Sequence, residues 1–145
     1  MDHVSKAEIV REAREWIGTP FLHQQSVQGG GCDCVGLIRG LWRAIIGPEP
    51  EAPPPYPSRV DLLEASILTE FADRYLQPIS ADEAGPGDVL VMRFKEDTPT
   101  HHAVILVEAG RCVHAWGGRT VRKVVEGPLP PRAEITGAYS FPGAI

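Results

Sequence analysis

The sequence of 145 residues has three cysteines, 14 basic side chains against 19 acidic ones, and no long apolar run. Each shortage removes a class of protein. A membrane-spanning helix needs roughly 18 or more consecutive apolar residues, and none is present. A formal charge of −5 and a pI near 5.5, with the lysines and arginines scattered, disfavour nucleic acid as a partner. The opening MDHVSKAEIV has neither the basic n-region nor the apolar h-region of a secretory signal. Synthesis and folding in the cytoplasm, or exit by another route, is the expectation. An odd number of cysteines without a signal is unsuited to a disulfide framework, so chemistry or burial should account for them.

What remains is ordinary in bulk: 43% hydrophobic and 23% charged residues, in a length typical of one domain, so residues 1–145 are read as a single unit. Ser5 and Glu8 form a capping box, with Val4 and Ile9 placed as a staple. Ile9, Val10, Ala13, Trp16 and Ile17 then recur on one helical face, and Gly18 and Pro20 end the run. Residues 19–32 read as a loop. Asp33 is a natural N-cap for a second helix whose face carries Cys34, Leu37, Ile38, Leu41, Trp42 and Ile45, stopped by Gly47-Pro48. PEPEAPPPYPS, residues 48–58, holds six prolines and predicts an extended, stiff surface loop. A third helix fits 59–76. From AGPGDVLVMRF onward the period changes to two, with strands expected at 88–94, 101–107, 111–116, 119–125 and 134–141. Helices followed by a meandering antiparallel sheet predict an α+β fold.

The stretch GGGCDCVG carries the chemistry. With Asp33 on the cap, Cys34 sits in the first helical turn, where unpaired N–H groups and the macrodipole favour an anion. A thiol so placed is expected to have a lowered pKa and to act as a nucleophile beside a histidine. The glycines clear the approach, and the turn's N–H groups suit an oxyanion. HHAVILVEAGRCVHAW reads as two strands joined by a three-residue loop, Glu108-Ala109-Gly110. That loop sets Val107 against Arg111 and His102 against Trp116, and places His114 one diagonal step from His102 on the same face. The two histidines supply a base and its orienter. His101 alternates to the opposite face, Cys32 and Cys112 read as structural, and His3 and His23 as surface or loop residues. Trp16 and Trp42 are core by periodicity. Two rival readings are a zinc site drawn from Cys32, Cys34, His102, Cys112 and His114, and a Cys32–Cys34 redox pair. Neither has the usual spacing, so no metal is expected.

Three segments in order, WIGTPFLHQQ…GCDCVGLIRGLW, AGPGDVLVMR and HHAVILV…CVHAW, resemble the NlpC-type cell-wall cysteine peptidases. These are papain-like hydrolases of peptidoglycan stem peptides, and the likeness is to the short form encoded with the tail genes of phages and gene transfer agents. The resemblance implies a papain-like NlpC-type α+β fold, with the nucleophile at a helix start packed on an antiparallel sheet. It implies Cys34 as nucleophile, His102 as general base, His114 as orienting group and no cofactor, with Gly87-Asp88 as a fold marker. Asp33, Phe21 and Val35 match pocket positions that bind the free amino end of a stem peptide. Relatives carry Tyr and Ser where this chain has Phe21 and Val35, which puts that selectivity in question. The implied partners are peptidoglycan stem peptides and phage-like tail or baseplate proteins, with action at the bacterial wall from a tail particle. The implied bond joins γ-D-glutamate to the diamino acid. An inactive structural tail component and a papain-like acyltransferase are the alternatives.

Overall fold

The computed structural model describes residues 4–58 and 66–145. His3 and the first part of the expected third helix, 59–65, lie outside the described residues. Helix α1 spans Lys6–Glu15, with the Ser5 hydroxyl accepting the Glu8 N–H, and helix α2 spans Cys34–Ile45, capped by Asp33. Between them a short hairpin pairs β1 (Ser26–Val27) with β2 (Gly31–Cys32), in a segment read from sequence as plain loop. Helix α3 covers Ile67–Tyr75 behind a Ser66 cap. Strand β3 (Gln77–Ile79) and a 3₁₀ turn at Ala81–Glu83 lead into β4 (Val89–Arg93), β5 (His102–Glu108), β6 (Arg111–Gly117), β7 (Arg122–Pro128) and β8 (Glu134–Ser140).

These six strands form one antiparallel sheet in the order β3-β8-β4-β5-β6-β7. The last strand inserts between β3 and β4, so β8 joins β3 to the rest of the sheet. Pro78 is tolerated because β3 is an edge strand. Strand β7 starts three residues later than the periodicity predicts, at Arg122 and not at 119. The turn before it is closed by Gly118 N–H donating to the Val121 carbonyl at 3.0 Å, which uses up the expected first residues.

The helices cover one face of the sheet. Ile9, Ala13, Leu37 and Leu41 pack there on Val89, Val91, Ala103, Ile105, Val113 and Val124. The opposite face has its own apolar layer of Leu90, Met92, Val104, Leu106 and Cys112, roofed by loop residues such as Phe94 and Leu129. Strands β4 and β5 are therefore buried on both sides, and their sequences run nearly continuously apolar. Ile17, expected on the core face of α1, falls beyond the helix end and is 45% exposed.

Asp88 enters β4 as a fully buried carboxylate. It accepts from the Ser140 hydroxyl at 2.7 Å and the Gly85 N–H at 3.0 Å, and pairs with the Lys6 ammonium at 3.0 Å. One side chain thus ties α1, the turn before β4 and β8 together. A buried charge is tolerated because each oxygen has a partner.

Candidate active site

Asp33 does more than cap α2. Its Oδ1 accepts the Gly36 N–H at 2.7 Å, while Oδ2 accepts the Gln24 N–H at 2.8 Å and the Tyr56 hydroxyl. Cys34 follows as the first helical residue, half-buried, and its thiol donates to the His101 carbonyl at 3.9 Å. The thiol is not acidified. Burial and then the neighbouring Asp33 carboxylate push its pKa up to about 12, against a weaker opposing pull from the N–H groups of Ala103, Val35 and Cys34. The expectation of a lowered pKa at the helix start is therefore corrected. The dipole effect at a helix terminus is small, and an adjacent carboxylate together with desolvation exceeds it.

His102 opens β5 and His114 lies within β6. Their side chains meet through Nε2 of His102 and Nδ1 of His114 at 2.7 Å, both residues being under 10% exposed. The hairpin register pairs Ile105 with Val113, which preserves the parity the sequence predicts. The turn itself differs. Glu108 faces Arg111 across Ala109-Gly110, and a bulge at Val107 absorbs the odd residue, so Val107 and Arg111 are not partners. Gly110 takes a left-handed φ of 71°, which the tight turn requires. Phe94 and Trp116 box the pair, with ring centroids 5.4 and 5.8 Å from His102.

Burial in this box lowers the His102 pKa to about 3, helped by the charge of a protonated His114, and burial alone lowers His114 to about 4. Both are neutral imidazoles at pH 7. An unfolded chain takes up protons near pH 6.5 while the folded one does so only at lower pH, so stability falls as pH drops through that window. Between pH 7 and pH 5 the loss should reach about 2–4 kcal/mol. Chemical denaturation at the two pH values checks this, and His102→Gln should roughly halve the difference, since His114 still contributes.

Cys34 and His102 open onto a cleft of about 320 Å³, with Phe21, Asp33 and Val35 also on its wall. His114 stands behind His102 and reaches the cleft through it. No hydrogen bond joins Cys34 to His102 among the described residues. Because Nε2 of His102 is taken by His114, Nδ1 is the nitrogen left for the thiol proton.

Several wall residues were unforeseen. His101, assigned by alternation to the far face, lines the cleft, because it precedes β5 and lies outside the strand's alternation. Its Nδ1 bonds the Pro99 carbonyl at 2.9 Å. His23 is also on the wall, with Nε2–H donating to the Tyr56 carbonyl at 2.7 Å. Tyr56 belongs to the proline loop, which folds inward as a strap and does not stand free. Glu49 of the strap accepts from Arg39 at 2.6 Å and Arg43 at 2.9 Å on α2, and Glu51 from Arg74 and Tyr75 on α3. Acids spaced along the loop, facing arginines on two helices, were the available signal. The zinc rival has no geometric support: Cys32 is in the helix-side core and Cys112 in the layer across the sheet. Among the described residues no three ligand-type side chains converge.

No family model matches the sequence, and no curated protein does. Solved structures do match in shape. The NlpC/p60 domain of the peptidoglycan hydrolase SagA superposes with a TM-score of 0.64 at 23% identity, over 94% of this chain and 98% of that one. The fold is NlpC/p60. NlpC1 from Trichomonas vaginalis gives a TM-score of 0.68 at 18% identity, covering 94% of this chain and 44% of its own. An NlpC/p60 family protein from Bacillus cereus gives 0.69 at 16%, covering 97% and 41%. This chain thus spans the whole SagA domain but less than half of the other two. The sequence-derived expectation of a papain-like NlpC-type α+β architecture, with Cys34 at the start of a helix packed on the sheet, matches this NlpC/p60 fold.

Proposed function

We propose that this protein is a cysteine peptidase that hydrolyses an amide bond in peptidoglycan stem peptides, with Cys34 as nucleophile. The observation that carries the reading is the His102–His114 pair hydrogen-bonded at 2.7 Å behind the cleft into which a helix-terminal cysteine opens. The name peptidoglycan hydrolase belongs to the similar SagA domain and supports the choice of substrate. His102 carries its proton on Nε2 and donates it to Nδ1 of His114, which leaves Nδ1 of His102 as a lone pair. That lone pair takes the Cys34 proton as the sulfur attacks the scissile carbonyl, and the first-turn N–H groups of α2 receive the oxyanion. The His102 imidazolium then protonates the leaving amine, and water, activated in turn by His102, releases the acyl group.

The finer reading rests on the motif order in the sequence. It assigns the γ-D-glutamyl–diamino acid bond, and a role in a phage tail or gene transfer agent that acts on the wall. The neutral resting thiol favours one alternative, a structural tail component whose site is inactive. Mass spectrometry of purified peptidoglycan fragments after incubation with the protein decides between them. New termini at one stem-peptide bond are the expected result. Intact fragments across several stem-peptide types, with a folded protein, would reject the peptidase.

A further inference from the structure

Asp33, His23 and Tyr56 line the cleft together with Cys34 and His102. Among the described residues Asp33 is the one acid on the wall, and its oxygens are already engaged. Oδ1 holds the Gly36 N–H at 2.7 Å, and Oδ2 holds both the Gln24 N–H at 2.8 Å and the Tyr56 hydroxyl. His23 Nδ1 stands 3.8 Å from that same Oδ2. Oδ1 keeps a lone pair, but Asp33 is 4% exposed, so little of the carboxylate is open to a further donor. Tyr56 is fixed by more than this bond. Its carbonyl accepts from His23, its ring meets the His23 ring edge-on at 4.9 Å, and the strap carrying it is held by Glu49 and Glu51. Two donors on one carboxylate oxygen use both its lone pairs. A substrate ammonium arriving there would have to displace the phenol and would otherwise lose its hydration without compensation.

We infer that Tyr56 is a specificity-determining residue. By completing the donors on Asp33 Oδ2 it denies the cleft an anionic contact for a substrate's amino end, so the cleft accepts stem peptides whose first residue is amide-linked. The apolar wall residues Phe21, Val35 and Leu68 suit an uncharged acyl group. The inference rests on the peptidase reading and adds to it the state of the substrate's amino end.

The test uses two synthetic stem peptides that differ only in N-acetylation of the first alanine, each made with diaminopimelate and with lysine. For the wild type, kcat/KM on the acetylated peptide should equal or exceed that on the free amine. Tyr56→Ala unmasks the carboxylate and removes the ring, and should shift the ratio about tenfold toward the free amine. Tyr56→Phe unmasks the oxygen but keeps the ring, and should shift it less. A tenfold wild-type preference for the free amine would overturn the inference and keep the peptidase. Equal losses on both peptides in Tyr56→Ala would also overturn it, since a merely supporting strap does not move the ratio. Cleavage of neither peptide by folded wild type would overturn both readings together.

Discussion

Cys34→Ala should lower stem-peptide turnover by about 10⁴-fold or more while the protein melts as wild type does. Among the described residues the cleft wall has no second nucleophile of comparable strength, and alanine is the best residue for a helical turn. The cost to the fold is small because the hydrogen bond the thiol donates, to the His101 carbonyl, is long at 3.9 Å. The substitution also removes the thiol pushed up to about 12, so nothing in its loss relieves a buried charge at neutral pH. His102→Ala should match it in rate, since the thiol then has no acceptor for its proton. His114→Ala acts through His102, by releasing the tautomer, and should cost about 10²–10⁴-fold, the scale seen when an orienting group is changed. Steady-state kinetics on a defined stem peptide, with melting curves beside them, separate these cases. Wild-type turnover in Cys34→Ala would remove the sulfur from the mechanism.

Those three residues were legible in the sequence because each sits where a local rule acts. Asp33 announces the start of α2, and a nucleophile immediately after a cap needs no long-range information to be noticed. His102 and His114 were matched by counting through a hairpin. The count survived although the turn was assigned wrongly, because the bulge at Val107 restores the parity that a three-residue loop would have given. The strap failed for the opposite reason. Six prolines prevent regular structure but say nothing about where an extended segment lies. Its path is decided by Glu49, Glu51 and Tyr56 finding partners on α2, α3 and the cap, contacts made by residues up to 24 positions apart. The places of Tyr56 and His23 on the cleft wall were hidden with it. The thiol pKa was misjudged because the helix terminus is visible in sequence and the desolvation of the sulfur is not. Strand β3 was missed because Gln77-Pro78-Ile79 has no period, and β8 recruits it from the far end of the chain.

Gly36→Ala should cost about 3 kcal/mol and lower the melting temperature by about 10 °C. Gly36 is helical, so its backbone angles would suit alanine, and the difficulty is space. An added Cβ would stand 1.9 Å from the Gln25 carbonyl oxygen, a backbone atom that cannot rotate aside. The loop runs so close because Gln24 must deliver its N–H to Asp33 Oδ2, and Gln25 its carbonyl to the Asp33 N–H at 3.4 Å. Ser26 extends the same contact, its hydroxyl donating to the Gly36 carbonyl at 2.6 Å. The glycine in CDCVG therefore fixes the segment that holds the cap, and through the cap it fixes Cys34. Retreat of the loop would free Asp33 and tilt the first turn, so activity should fall by more than the loss of folded protein accounts for. Gly127→Ala is the control, because nothing lies within 4 Å of its added Cβ, and it should stay within about 0.5 kcal/mol of wild type. Paired melting curves and turnover of the two variants measure the difference. A Gly36→Ala protein as stable and active as Gly127→Ala would show that the 24–26 segment yields freely and that the nucleophile's position does not depend on it.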